Sequence, residues 1–175
     1  MMDSNNILVA YASRAGSTEG VAEAIGATLI DNGAKVDVLP MDEVQNLSQY
    51  RAVVAGSAIQ GSKWLPEAMD FVRMNQAELS QKPFASFLVC MTMVLTKGEI
   101  TEELRGLMEP VRALVRPVKE GYFAGALDLK KVPSFWVRLG FRISILLRIW
   151  KEGDHRDWEA IHAWAGELNS EPGWK

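Results

Sequence analysis

Six consecutive residues, Ser13-Arg14-Ala15-Gly16-Ser17-Thr18, gather three hydroxyls and a glycine between an apolar run and an amphipathic one. Hydroxyls at 13, 17 and 18 can donate to phosphate oxygens, and Gly16 lets the backbone approach closely. A helix beginning at Ser17 would add free N–H groups and a favourable dipole. The chemistry this spacing suits is capture of a phosphate monoester. A plain turn with Ser17 as helix cap would explain one hydroxyl and leave the others, and the glycine, without a role. The loop lacks the Gly-Lys-Ser/Thr ending of a Walker loop and is not Gly-x-Gly-x-x-Gly. Nucleoside triphosphates and dinucleotides are therefore not the expected ligands.

The elements around the loop suit that task. Ile7-Leu-Val-Ala-Tyr11 is continuously apolar, as a parallel strand covered on both faces must be. Val21, Ala24, Ile25, Thr28 and Leu29 then recur at helical spacing, with Glu19 in the first turn and Gly33 past the end. The alternation continues with strands over Lys35–Leu39, Ala52–Gly56 and Phe84–Met91 and a helix over Glu67–Gln76. A helix over Glu99–Leu114, interrupted near Pro110, precedes a fifth strand within Val118–Ala126, and a last helix covers Asp154–Leu168. Strict alternation predicts an α/β three-layer sandwich: a five-stranded parallel sheet with helices on both faces and right-handed crossovers. In such a sheet, ligands bind beyond the carboxyl ends of the strands, where the phosphate loop falls.

Other chemistry is thinly represented. The two histidines, His155 and His162, both fall in the expected last helix, and no Ser-His-Asp, Cys-His or metal-ligand grouping accompanies them. Redox or group-transfer chemistry would have to come from a bound cofactor. Cys90, the only cysteine, sits in the apolar run Phe87-Leu-Val-Cys-Met and reads as a packed core thiol in a reducing compartment. The 175 residues have room for one well-cored domain, residues 1–175, with no clear linker. The N-terminus carries no basic leader or signal-like apolar stretch, so a cytoplasmic location is expected.

The resemblance to known proteins rests on several segments: Tyr11-Ala-Ser-Arg-Ala-Gly-Ser-Thr18, Val53-Val-Ala-Gly-Ser-Ala-Ile59, Phe71-Val72, Ala124-Gly-Ala-Leu127, the basic stretch after it, and Asp157-Trp158. With the element order, they make the chain resemble the flavodoxin family from about residue 7 to 168. Within it, the chain is most similar to flavodoxin-domain proteins of the menaquinone-dependent protoporphyrinogen oxidase type. The resemblance implies strand order 2-1-3-4-5, FMN as cofactor, and an oxidoreductase passing electrons from a reduced substrate, protoporphyrinogen IX in that type, to a quinone. A soluble electron-carrier flavodoxin, or a flavodoxin-fold binding module without tight FMN, are the alternatives.

With the phosphate at Ser13–Thr18, the isoalloxazine ring is expected over two further loops. The first holds Ser57, Ala58, Ile59, Gln60, Gly61 and Trp64, the last as a possible stacking surface or a staple for the helix after it. The second holds Met91, Thr92, Met93 and Val94. Oxidase-type members tend to carry Asn and Arg in this second loop, where Thr92 and Thr96 stand here, and Met91–Thr96 offers no aromatic side chain. Lys63, Lys97 and the arginines of the basic stretch are the cations able to meet the propionates of a porphyrinogen.

Residues 129–151 carry six basic side chains and no acidic one, leaving −9 on the rest of a chain of net charge −3. That balance speaks against nucleic acid as a partner and localises any affinity for anionic surfaces. At helical spacing, Phe135, Trp136, Leu139, Ile143, Leu146, Leu147 and Trp150 share a sector, with Arg138 and Arg142 on another and Ser134 as N-cap. The segment is too short and arginine-rich to span a bilayer. It suits peripheral contact with the inner face of the membrane, on the side of a quinone. Val137, Phe141, Ile145 and Ile149 on the remaining sectors suit instead a homo-oligomer contact or packing within the domain.

Overall fold

A computed structural model describes residues 6–131, 134–147 and 151–174. The strands are β1 (Asn6–Ala12), β2 (Lys35–Pro40), β3 (Tyr50–Gln60), β4 (Lys63–Trp64), β5 (Phe84–Val89), β6 (Lys119–Phe123), β7 (Ala126–Leu127) and β8 (Gly153–Asp154). The helices are α1 (Ser17–Asp31), α2 (Pro66–Met74), α3 (Gln76–Leu79), α4 (Thr92–Leu95), α5 (Glu102–Gly106), α6 (Glu109–Arg112), α7 (Phe135–Leu146) and α8 (Trp158–Leu168).

The main sheet runs β2-β1-β3-β5-β6 with all neighbours parallel, and β4 folds back antiparallel on the end of β3. Counted along the five long strands, this is the expected order 2-1-3-4-5. Each strand is apolar on both faces because both are covered. Leu8, Ala10, Val53, Ala55, Phe84 and Leu88 bury one face beneath α2, α5 and α6, while Ile7, Val9, Val54, Ala85, Phe87 and Val89 bury the other beneath α1 and α8. The register aligns Ala12 with Ser57 and Ala58 with Val89, so the carboxyl ends of the central strands finish at one level. The Ser13–Thr18 loop leaves from that level.

Several boundaries differ from the sequence reading, each for a local reason. The helix expected over Glu99–Leu114 is two short pieces, α5 and α6, separated near Pro110, whose ring cannot continue an established helix. The last helix starts at Trp158 rather than Asp154, because the Asp157 carboxylate accepts from the Ala160 N–H and caps it. His155 consequently precedes the helix, its Nε2 donating to the Lys151 carbonyl at 2.7 Å, and His162 is exposed on α8 with Nδ1 2.7 Å from Thr28 Oγ1. Trp174, which the sequence reading did not single out, is fully buried beneath the α1/α8 layer.

The basic stretch is rooted on a small ladder, with β7 pairing β8 antiparallel through Ala126–Asp154 and Leu127–Gly153. Ser134 precedes α7 without a side-chain capping bond. No residue of α7 is fully buried; Trp136 is 77% exposed and Leu146 82%. Trp150 and Ile149 lie outside the described residues. Among the described residues no helix is long and apolar enough to cross a membrane.

Candidate functional site

The β1–α1 loop has the geometry that an anion needs. Gly16 occupies the N-cap of α1 with φ +83, a left-handed backbone conformation that costs glycine nothing. The Ser13 hydroxyl accepts from the Gly16 N–H at 3.0 Å and closes the turn. The first bond within the helix runs from Gly20 N–H to the Gly16 carbonyl, so the N–H groups of Ser17, Thr18 and Glu19 have no partner inside the helix. Thr18 is fully buried and its Oγ1 has no hydrogen-bond partner. Burying an unpaired hydroxyl is unfavourable, and such groups in native proteins usually have a purpose. A phosphate would pair the hydroxyl and the free N–H groups together, so the residues present fit that group.

A furrow of about 190 Å³ runs from this loop across the strand ends, lined by Ser13, Arg14, Ala15, Ser17, Ala58, Ile59, Gln60, Cys90, Met91 and Gly125 and roofed by Val137 and Phe141 of α7. It joins a cavity of about 350 Å³ around the helix start, with which it shares Ala15, Ser17, Ala126 and Lys131. Gly125 brings the β6–β7 loop close: a Cβ there would stand 3.4 Å from Ser17 Oγ.

Electrostatics separate the charged residues of this rim. Arg14 is engaged by Glu67 on α2, and Arg156 by Asp154, with its guanidinium also stacked 4.3 Å above the Trp158 ring. Burial pushes the Tyr11 phenol up to about 12, aided by its hydrogen bond to Glu19. Burial likewise pushes the Cys90 thiol up, which keeps it protonated and unreactive at neutral pH.

The structure brings together most, not all, of the residues the sequence singled out. Ser13, Arg14, Ala15, Ser17, Ala58, Ile59, Gln60 and Met91 line the furrow; Gly16 lies beside it, and Thr18 is buried under the helix start. Trp64 does not line it. The β3–β4 turn, with Gly61 and Ser62 both near φ +58, folds Trp64 back into the core at 4% exposure, so it staples α2 rather than offering a ring surface. Gly61 serves that turn, and Ser57 is buried with its Oγ donating to the Ala58 carbonyl and accepting from Leu65 N–H. Thr92 starts α4, whose turn carries Met93 and Val94 away to a separate cavity of about 470 Å³ with Lys97, Tyr122 and His155. The lining also includes residues the sequence had not singled out for it: Val89, Cys90 and Gly125–Leu127 at the strand ends, and Lys131, Val137 and Phe141 of the basic stretch. Their apolar or basic character was legible, but nothing in the sequence specified that this stretch folds over the strand ends.

Comparison with known proteins agrees with this fold. Residues 8–143 match the family described as "Flavodoxin domain". A flavodoxin from Streptococcus pneumoniae TIGR4 has a similar structure at 18% identity, TM-score 0.61, over 94% of this chain and 98% of that one. A flavodoxin from the domain Archaea gives 17% identity and TM-score 0.58 over 94% and 96%. Oxidised Flavodoxin 2 from Bacillus cereus is 26% identical, with TM-score 0.51 over 82% and 99%. No curated protein matches.

Proposed function

The chain belongs to the flavodoxin-domain family, and from that premise we propose that it binds FMN in the furrow beneath α7 and carries electrons between redox partners. The observation supporting this most directly is the buried, unpartnered Thr18 hydroxyl beside the free N–H groups of α1. Bound there, FMN supplies the redox chemistry of its ring system. The chain's own residues do the rest. The helix start and the hydroxyls of Ser13, Ser17 and Thr18 hold the phosphate, Ala58, Ile59, Gln60 and Met91 wall one side of the furrow, and Val137 and Phe141 keep water off another. A buried, unreactive Cys90 fits a reducing cytoplasm. A small-molecule or protein reductant is the electron source in this reading, and the net charge of −3 speaks against nucleic acid as a partner.

The second reading makes the chain an oxidase that takes electrons from protoporphyrinogen IX and delivers them to a membrane quinone. The observation favouring it is α7, where Phe135, Trp136 and Leu146, with Leu147 just past the end, are exposed on a helix that carries Arg138 and Arg142. A peripheral membrane contact or a homo-oligomer would cover that face.

The test is to add FMN to the purified protein, desalt it, and record the visible spectrum of wild type and Thr18→Glu. A flavin band retained by wild type and lost in the variant supports the cofactor site; no retained flavin overturns it. The loaded protein is then reduced and offered a one-electron protein acceptor, or given porphyrinogen and a soluble quinone. Electron delivery without porphyrinogen turnover supports the carrier reading, and quinone-dependent porphyrinogen consumption replaces it with the oxidase.

A further inference from the structure

We propose that the basic stretch supplies the second half of the cofactor site, with Lys131 meeting the phosphate and Phe141 covering the ring. The assignment rests on the FMN reading above and goes beyond it, because neither residue belongs to the phosphate loop or to the two loops expected to hold the ring.

The β7–β8 ladder ties both ends of the stretch beside the strand ends, and the helical turn at Leu129–Lys131 then carries Lys131 over the helix start. That turn is fixed by Lys131 N–H donating to the Asp128 carbonyl at 3.0 Å and Lys130 N–H to Asp128 Oδ1 at 2.9 Å. A Cβ built on Gly16 would stand 3.8 Å from Lys131 Nζ, which puts the ammonium beside the glycine that the phosphate must approach. Lys131 borders both the furrow and the cavity around the helix start.

The competing cations are engaged: Arg14 by Glu67, Arg156 by Asp154. Among the described residues, Lys131 makes no hydrogen bond or ion pair through its ammonium. Glu19, whose Oε2 stands 3.8 Å from the same Cβ position, borders this cavity with Glu23 and Asp128; the Glu19 carboxylate accepts from the Tyr11 hydroxyl and Asp128 Oδ1 from the Lys130 N–H. A phosphate dianion at the start of α1 would find in Lys131 an ammonium held in no ion pair, among carboxylates whose repulsion it would offset.

Phe141 answers a different need. Trp64 is withdrawn into the core, Met91–Thr96 has no aromatic residue, and Phe141 is the aromatic side chain among the described residues lining the furrow. Val137 stands one helical turn earlier on the same face, so the inner side of α7 presents a continuous apolar surface to a flat ring. Trp136, next in sequence but facing outward, gives a control on the same helix.

The experiment measures binding of FMN and of riboflavin, which lacks the phosphate, by quenching of flavin fluorescence. Lys131→Ala is expected to weaken FMN about tenfold at low salt and leave riboflavin unchanged, as loss of a charge-assisted contact to phosphate requires. Phe141→Ala is expected to weaken both flavins by a similar factor, about two- to tenfold, and Phe141→Tyr to restore both. Trp136→Ala is expected to change neither. Lys131→Ala and Phe141→Ala proteins that bind both flavins as wild type does would overturn the assignment alone. A wild-type chain that binds neither flavin would overturn the cofactor reading and this assignment with it.

Discussion

Arg14 and Glu67 close a two-pronged ion pair between the phosphate loop and the first turn of α2, Nη2 lying 2.9 Å from Oε2 and Nη1 meeting Oε1. The loop's own arginine thus lines the furrow with its guanidinium engaged by Glu67, bracing the loop against a neighbouring helix. Burial pushes the Glu67 carboxyl up, but hydrogen bonds from its own backbone N–H and from Arg14 outweigh that and hold it below the usual carboxylate value.

Arg14→Ala should therefore change FMN affinity by less than about twofold, and stability by less than about 1 kcal/mol, since the pair is half exposed and screened by water. Urea denaturation and a fluorescence titration measure the two quantities. A tenfold loss of FMN affinity would mean that Arg14 leaves Glu67 when the phosphate arrives.

Thr18→Val separates binding from folding. The hydroxyl is buried with no partner in the protein, so an isosteric methyl should leave stability unchanged or raise it by about 1 kcal/mol. FMN affinity should fall by about tenfold, because the phosphate loses a donor. If the variant is less stable and still binds FMN as wild type does, Thr18 is structural.

At the sheet edge Arg112 grips Glu120 fork to fork, Nε 2.6 Å from Oε1 and Nη2 2.7 Å from Oε2, and the Tyr122 hydroxyl donates to Oε2 at 2.6 Å. Burial pushes the Glu120 carboxyl up, yet the Arg112 and Tyr122 hydrogen bonds and the Arg112 charge bring it below its usual value. A depressed carboxylate contributes stability above its unfolded-state value, about 4.3, and loses it as pH falls toward its folded-state value. Glu120→Gln should cost about 1–3 kcal/mol at pH 7. The gap to wild type should narrow as pH drops below the usual carboxylate range, as denaturant midpoints at pH 7, 5 and 4 would record. A gap that widens on acidification would contradict the pairing.

Phe87 lies so close across Gly56 that a Cβ there would stand 1.9 Å from its Cζ. Phe87 is itself held by Phe123 and Trp164, at ring distances of 6.0 and 6.4 Å. Gly56→Ala should lower stability by about 1–3 kcal/mol through overpacking, and adding Phe87→Leu should recover part of the loss. Thermal melts of the two variants provide the comparison; no recovery in the double variant would mean that the strand itself shifts.

What the sequence determined by itself was the alternation of elements and the local geometry of the loop at Ser13–Thr18. Apolar runs such as Ile7–Tyr11 and Phe84–Val89 can be continuous only if both faces are covered, and that fixes a parallel sheet with helices on either side. The hydroxyls and glycine of Ser13–Thr18 are likewise local: their φ preference and donor groups act within six residues. Tertiary structure decided who meets whom across the chain. Trp64 looked equally suited to a flavin and to a core, and a two-residue turn at Gly61 and Ser62 chose the core. Arg14, one of the six loop residues, gained its partner only when Glu67, 53 positions away, was brought beside it. Lys131 and Phe141 were one basic and one apolar residue in an amphipathic stretch, and the β7–β8 ladder set them over the furrow. Local propensity records what a residue can do, but pairing over such separations is fixed only when the packed sheet supplies the partner.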